Sequence, residues 1–142
     1  MLCVASESVR SRILAAGQRI TPQRDLIAGV LEAADGPLGA QELLEAVALR
    51  DAGIGRATVF RTLQSLQDAG VVQHVPLPGD QGGYLLCPTS GHHHHLVCQR
   101  CGRVEDLLEE EVALFVGAVA RDHGFDIDHT GLELSGHCSG CR

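Results

Sequence analysis

Two C-x-x-C pairs constrain this chain more than any other feature of its sequence. The first pair, Cys98 and Cys101, directly follows a run of histidines, and the second, Cys138 and Cys141, lies at the C-terminus. Two such pairs can supply the four thiolates of a closed, tetrahedral zinc site. Because the pairs lie far apart in the sequence, a shared zinc ion would join a strand near residue 100 to the other end of a small domain. The spacing therefore predicts a structural zinc site.

The histidine run at residues 92–95 predicts a second kind of metal site. A site with four cysteine ligands is saturated, so the imidazoles need another explanation. On a strand, alternate side chains share a face, so we expect His93 and His95 on one face and His92 and His94 on the other. Cys87 lies close before the run, and a thiolate beside imidazoles favours zinc over iron(II) or manganese(II).

Composition places the chain among globular proteins. Its 142 residues, of which 44% are apolar, suffice for one domain or two small ones. No apolar run approaches the roughly 18 residues that cross a bilayer, and the N-terminus lacks the apolar middle of a signal peptide. We therefore expect a cytoplasmic protein with no membrane partner, whose six cysteines bind metal in preference to forming disulfides.

Charge is unevenly distributed along the chain. The net charge is -7, which by itself argues against a nucleic-acid partner. Seven of the eleven arginines, however, precede residue 87, and seven of the eight histidines follow residue 91. The two halves are therefore expected to have different functions.

The first half predicts four helices followed by a hairpin. Ser6 or Ser8 is expected to cap the first helix, and Thr21 the second, with Pro22 at its first position. The third and fourth helices, joined by a short glycine-containing turn, have the pattern of a helix-turn-helix. Residues 71–77 and 84–87 predict the two strands of a wing, with 76–83 as wing loop or hinge. The side chains expected to face the core are Val9, Ile13, Leu14, Leu26, Ile27, Val30, Leu31, Leu43, Leu44, Val47, Leu49, Val59, Leu63 and Leu66.

The second half alternates strand and helix. Residues 95–107 predict a strand, a C-x-x-C turn and a second strand, and residues 125–136 a further strand. Residues 109–124 between them predict an amphipathic helix whose apolar face comprises Val112, Phe115, Val116 and Val119. The fold class expected for the whole chain is therefore α+β.

Five stretches, in this order and at these spacings, carry a resemblance to a known family. They are RITPQR at 19–24, ATVFRTL at 57–63 with LQDAGVV just after it, HHHHLVCQRCG at 92–102, DHGF at 122–125 and LELSGHCSGC at 132–141. Together they resemble the ferric uptake regulator family of bacterial metal-dependent repressors, and its zinc-sensing branch most. The resemblance implies a winged-helix DNA-binding domain over 1–83, with a hinge at about 76–83, and an α/β dimerisation domain over 84–142.

The function implied by this resemblance is a zinc-responsive repressor of zinc-uptake genes. Such a protein is a homodimer that binds a palindromic operator in double-stranded DNA and holds both structural and regulatory zinc. The alternative within the family is a sensor of iron, manganese, nickel or peroxide. A zinc hydrolase would need a motif such as H-E-x-x-H, which does not occur in the sequence, so no enzymatic activity is expected. A zinc buffer would leave the recognition helix unexplained.

The resemblance also assigns candidate metal ligands. Cys87, His93 and His95 match the regulatory site, and its fourth ligand stays open between His74, displaced by one residue from the expected position at Gln73, and Asp106. A possible second site would use His92, His94 and His129. The glutamate that usually completes that second site falls here at Ala113, with Glu109, Glu110 and Glu111 a few residues too early.

Candidate DNA contacts lie on the recognition helix and before the second helix. The expected face of the recognition helix is Arg56, Thr58, Phe60 and Arg61. The family usually has tyrosine where this chain has Phe60, which can still contact a thymine methyl group but lacks the hydroxyl. Arg19 and Arg24 are expected to contact phosphates.

Overall fold

The computed structural model describes residues 8–79, 81–87, 93–129 and 132–142. The described residues form two compact units. The first comprises 8–75 and 81–87, and the second comprises 76–79, 93–129 and 132–142. None of the helices in these ranges is both long and apolar enough to cross a membrane.

The first unit contains four helices and most of a three-stranded sheet, of which residues 76 and 77 belong to the second unit. The helices are α1 (Val9–Ala15), α2 (Pro22–Glu32), α3 (Ala40–Arg50) and α4 (Arg56–Asp68), and the strands are β1 (Leu38–Gly39), β2 (Val72–Leu77) and β3 (Gln81–Leu86), in the order β1-β3-β2. The predicted caps are confirmed, because the Ser8 hydroxyl accepts from the Ser11 amide and the Thr21 hydroxyl from the Arg24 amide. Helices α3 and α4, with the β2-β3 hairpin, form the expected winged helix-turn-helix.

One apolar core supports this first unit. Val59, Leu63 and Leu66 of α4 are each at most 1% exposed, which confirms the predicted inner face of that helix. They pack in a cluster with buried residues of the other helices, of the loop before β2 and of the start of β2, namely Ile13, Ile27, Val30, Leu31, Leu43, Val47, Val71 and Val72. A helix-turn-helix held in this way leaves Arg56, Arg61, Gln64 and Asp68 of α4 exposed to solvent.

Two residues that the helical pattern assigned to this core are on the surface. Leu14 is 59% exposed and Leu49 is 89% exposed, so both predictions are wrong. Each stands in the last turn of its helix, where the neighbouring elements no longer cover it. The two-residue strand β1, which pairs with β3 at Tyr84 and Gly83, was not predicted.

The second unit is a small mixed sheet and one helix. Its strands are β4 (His94–Cys98), β5 (Val104–Leu107) and β6 (Leu134–Gly136), in the order β5-β4-β6, and its helix is α5 (Glu109–His123). The central strand β4 is antiparallel to β5 and parallel to β6. The expected α+β fold is thus confirmed, and within the described part of the strand predicted at 125–136 the residues that form a strand are Leu134–Gly136.

The apolar face of α5 is only partly buried. Val112 and Val116 are buried as predicted, but Phe115 is 60% exposed, so its assignment to the inner face is wrong for the single chain. The segment 76–83, predicted as wing loop or hinge, contains the end of β2 and the start of β3. This position agrees with the wing-loop alternative, while the hinge and the domain limits at residue 83 stay predictions.

Candidate metal centre

Strand β4 positions three groups of potential metal ligands. It carries His94 and His95, ends at Cys98, and follows directly on His93. Since successive side chains of a strand point to opposite faces, this one strand contributes to groups on both sides of the sheet. The three groups are Cys98, Cys101, Cys138 and Cys141; His93, His95 and Asp106; and His94, Glu109 and His129.

The four cysteines lie together as the two C-x-x-C pairs predicted. The four sulfur atoms all lie within 4.8 Å of one another, and Cys101 Sγ is 3.8 Å from Cys138 Sγ. That separation is about the edge of a tetrahedron with zinc–sulfur bonds of 2.3 Å, and far longer than a disulfide bond of about 2.05 Å. The donor set and its spacing therefore fit a zinc ion.

Backbone contacts bring these cysteines together. β6 pairs with β4 in parallel, with Cys98 opposite Gly136, so the second C-x-x-C pair emerges beside the first. The Cys138 amide donates to Cys98 Sγ over 3.4 Å, and Arg100 Nη1 donates to the Cys141 carbonyl over 3.0 Å. The site is thus built by sheet pairing, which the spacing of the cysteines alone does not reveal.

The thiol pKa values differ strongly within this group. Hydrogen bonds from the backbone amides of Cys138, Cys101 and Arg100 lower the pKa of Cys98 to about 5, because they stabilise the thiolate. The sulfurs of Cys138 and Cys101 raise the pKa of Cys141 to about 12, because a further negative charge beside them is unfavourable. A divalent cation removes that repulsion, so the group is suited to bind zinc as four thiolates.

The second group lies where β4 pairs with β5. His95 stands opposite Asp106, and its Nδ1 is 2.9 Å from Asp106 Oδ1. The rings of His93 and His95 are nearly perpendicular, with centroids 4.8 Å apart. Burial of His95, and the nearby His93, lower the pKa of His95, although Asp106 opposes the shift. A neutral imidazole is the form that binds metal.

The third group lies on the other face of β4. Glu109, the first residue of α5, contacts His94 Nε2 over 3.2 Å and His129 Nε2 over 2.5 Å through its two carboxylate oxygens. The hydrogen bond to Glu109 raises the pKa of His129, and that with His129 lowers the pKa of Glu109. His94 Nδ1 lies 3.2 Å from the Leu132 carbonyl, an interaction that leaves Nε2 as the ligand atom.

This third group corrects the expected position of the carboxylate. The family resemblance places this carboxylate at Ala113, which is exposed and has no carboxylate, and it makes Glu109 a few residues too early. Because α5 begins immediately after β5, its first residue lies beside β4. The position of Glu109 next to the predicted N-terminus of the helix was the signal that could have identified it. His92, the remaining residue of that predicted site, lies outside the described residues.

Two further candidates for the regulatory site belong to the first unit. Cys87, directly after β3, is buried, and its Sγ is 3.7 Å from Gln73 Oε1. His74 instead contacts the ring of Tyr84 at a centroid distance of 5.1 Å. Its ring also covers Gly82 so closely that an added Cβ there would meet Nε2 at 1.9 Å. The β2 residue beside Cys87 is therefore Gln73, not His74.

The predicted DNA-contacting residues have two kinds of environment. Arg19, Arg56 and Arg61 are exposed, as a phosphate or base contact requires. Thr58 and Phe60 are half-buried, and Phe60 packs against the core, with its ring centroid 6.4 Å from that of Tyr84 and 5.2 Å from the Arg56 guanidinium carbon. The prediction that Phe60 faces away from the core is therefore wrong in part.

Arg24 is engaged within the protein. Its Nη1 donates to the Arg19 carbonyl and its Nη2 to Ser65 Oγ, both over 2.8 Å. These bonds join the start of α2 to α4 and use two of the five guanidinium donors. A phosphate contact by the remaining donors stays a prediction.

Comparison with known proteins agrees with this arrangement. The model of the ferric uptake regulator family matches residues 15–135. The chain belongs to the ferric uptake regulator family. A zinc uptake regulation protein of Mycobacterium tuberculosis is 42% identical over 129 residues, which cover 90% of this chain and 98% of that protein. A ferric uptake regulation protein of Shigella flexneri is 34% identical over 126 residues, covering 87% and 84%.

Solved structures show the same fold for this family member. A zinc uptake regulator complexed with zinc and DNA superimposes with a TM-score of 0.70 at 26% identity, covering 92% of this chain and 87% of that one. The family predicted from the five sequence stretches is therefore confirmed.

Proposed function

We propose that this protein is a zinc-responsive, homodimeric transcriptional repressor of zinc-uptake genes and has no enzymatic activity. The observation that carries the proposal is the His93, His95 and Asp106 group, which offers three metal ligands and shares no residue with the four-cysteine group. A site of four thiolates stabilises a fold, whereas a separate site with mixed ligands can respond to the metal concentration. The 42% identical zinc uptake regulation protein supports zinc as the signal.

In this proposal Cys87 is the thiolate ligand of the regulatory site, together with His93 and His95. It precedes His93 by six residues in the sequence. A thiolate together with two imidazoles and one carboxylate oxygen favours zinc over harder divalent ions. Asp106, which already contacts His95, then completes the set, and His74 is not needed.

DNA is the partner of the first unit. The N-terminal residues of a recognition helix contact base edges in the major groove, and exposed Arg56 and Arg61 lie in the first turns of α4. Two copies in a dimer match the two half-sites of a palindrome. A protein of this kind acts beside the chromosome, so we place it in the cytoplasm.

Zinc acts in this scheme as co-repressor. It would hold the two DNA-binding domains at the spacing of successive half-sites, and the chain's net charge of -7 keeps nonspecific binding weak. Thermodynamic linkage makes this effect reciprocal: operator DNA must raise the affinity for zinc by the same factor by which zinc raises the affinity for DNA. A typical coupling is roughly 1 to 3 kcal/mol.

A second candidate function is a sensor of iron, manganese, nickel or peroxide. It is favoured by the His94, Glu109 and His129 group, which offers only nitrogen and oxygen ligands, and by the 34% identity to a ferric uptake regulation protein. Such ligands suit iron(II) and manganese(II) as well as zinc. The two candidates differ in whether the Cys87 thiolate is required.

The test combines metal content with operator binding. We expect purified protein to keep about one zinc ion per chain after mild chelation, and to lose a second ion together with its affinity for a palindromic, AT-rich duplex. Cys87→Ser and Asp106→Asn should abolish zinc-dependent DNA binding, whereas His74→Gln should preserve it. If Cys87→Ser responds to zinc like the unmodified protein, the zinc-sensor proposal fails and the second candidate gains.

A further inference from the structure

Arg12 is an unusual residue for a short surface helix, because its side chain is buried. Only 6% of it is exposed, and the other buried polar residues of the described ranges are Thr62, His94 and His95. Burying a guanidinium is costly unless its donors are satisfied. The contacts of Arg12 therefore indicate what the burial achieves.

The guanidinium of Arg12 joins two distant segments of the first unit. Nη2 donates to the Gly70 carbonyl over 2.9 Å, and Nη1 donates to the Cys87 carbonyl. Both acceptors are backbone atoms. The rigid, planar fork of arginine can bond two carbonyls at once, which the single ammonium of lysine cannot do in the same geometry.

Gly70 belongs to the turn that ends the recognition helix α4. Its backbone is left-handed, with φ of 67°, and its amide donates to the Gln67 carbonyl over 2.9 Å. The Val71 amide donates to the Leu66 carbonyl over 2.9 Å, which completes the C-terminal cap of α4. The position of Gly70 is therefore fixed to the end of α4, where a cation is also favoured by the helix dipole.

The backbone amide and the backbone carbonyl of Cys87 both form hydrogen bonds. Its amide donates to the Val71 carbonyl over 2.9 Å, and its carbonyl accepts from Arg12. The segments Gly70–Val71 and Cys87 are thus bridged twice, once directly and once through the guanidinium. A displacement of Cys87 acts on the end of α4 through both bridges.

We propose that Arg12 is a positioning residue of the metal switch, which transmits the state of Cys87 to the recognition helix. This inference depends on the proposed function, in which Cys87 is a regulatory ligand. Zinc fixes the Cys87 thiolate, Arg12 and Val71 fix the Cys87 backbone against Gly70, and α4 is held in the orientation that fits the groove. Without the guanidinium, zinc still binds but its effect on DNA binding is reduced.

The experiment compares Arg12→Met with Arg10→Met in the full-length protein. Methionine keeps an unbranched apolar stem at position 12 and removes both donors. Arg10 stands on the same helix and is exposed, where it forms an ion pair with Asp25, so its replacement is the matched control. The readout is the ratio of affinities with and without zinc for a duplex selected by the unmodified protein.

We expect Arg12→Met to bind zinc and to reduce the ratio of DNA affinities with and without zinc at least tenfold. In Arg10→Met this ratio should stay within twofold of that of the unmodified protein. In hydrogen exchange without DNA, zinc should protect residues 66–71 in the unmodified protein and in Arg10→Met but not in Arg12→Met. A purely structural role would change zinc-free protection without removing the response to zinc. If Arg12→Met does not fold, Arg12→Lys replaces it and should also lose coupling.

Failure of the two proposals can be told apart. If the unmodified protein binds DNA independently of zinc, the proposed function fails and the role of Arg12 fails with it. If the unmodified protein depends on zinc and a folded Arg12 variant keeps the full ratio, only the role of Arg12 is overturned.

Discussion

The two units of this protein are stabilised in different ways. The first buries one continuous apolar cluster with residues from all four helices. Within the described residues the second unit buries few large apolar side chains, and five of the seven large hydrophobic residues that are exposed belong to it, namely Leu96, Leu108, Leu114, Phe115 and Phe125. We infer that the first unit folds by its own core, whereas the second relies on metal ligation and on contact with a second copy.

The largest expected effect is on the four-cysteine group. Cys98→Ser removes one thiolate and should release the structural zinc, at a cost on the order of 10 kcal/mol. We expect β4, β5 and β6 to lose protection from hydrogen exchange, while α2, α3 and α4 keep theirs. Cys87→Ser, which lies outside the group, should retain the tightly bound zinc. Equal loss of protection in both units would contradict the contrast drawn between them.

The next effect concerns the core of the first unit. Leu63 is 1% exposed, and Leu63→Ala should lower the free energy of unfolding by about 3 kcal/mol through lost burial and a cavity. Leu49, in the neighbouring helix, is 89% exposed, and Leu49→Ala should change stability by less than about 0.5 kcal/mol. Urea unfolding of the zinc-loaded protein measures both. Similar midpoints for the two variants would show that this core is not the main support.

A smaller effect is expected on association of the two copies. Phe115 is 60% exposed on α5, and Phe115→Glu should weaken the homodimer by about 2 kcal/mol, roughly thirtyfold in its dissociation constant. Leu49→Glu introduces the same charge at an exposed apolar position of the first unit and serves as control. Sedimentation equilibrium distinguishes them. An unchanged dissociation constant for the Phe115→Glu dimer would show that α5 is not part of the interface.

The smallest expected effect is a difference in the pH at which the two histidine groups lose their metal. Its hydrogen bond to Glu109 raises the pKa of His129, so a proton competes with metal there at a higher pH than at an ordinary histidine. Burial lowers the pKa of His95, so protons compete there only at lower pH. As the pH falls, cobalt should leave the Glu109 group first, as measured by absorbance of the cobalt-loaded protein. His129→Gln should remove that first step, and release in the opposite order would contradict the assignment.

Local signals in the sequence were enough for the elements and for much of the candidate site. Thr21 and Pro22 marked the start of α2, and the i, i+4, i+7 spacing of Val59, Leu63 and Leu66 identified the inner face of α4. Strand alternation separated His93 and His95 from His94, as observed. These features depend on residues near one another in the chain, which is why they could be predicted.

The errors occurred where distant parts of the chain decide the environment. Leu49 and Leu14 follow the helical pattern, but among the described residues no other element covers them at the ends of their helices. Phe60 follows the outward pattern, yet it packs against Tyr84 of the wing. Periodicity describes one element at a time and does not reveal which surfaces meet.

The sequence by itself determined the ligand types, the two C-x-x-C pairs and the alternation of the histidines, because donor chemistry and strand geometry are local properties. Only the tertiary structure selected Glu109 as the partner of His94 and His129, and Gln73 as the β2 neighbour of Cys87. It alone showed Arg12 buried between the carbonyls of Gly70 and Cys87. Those contacts join residues 14 to 75 positions apart in the chain, and packing and strand pairing decide which of them form.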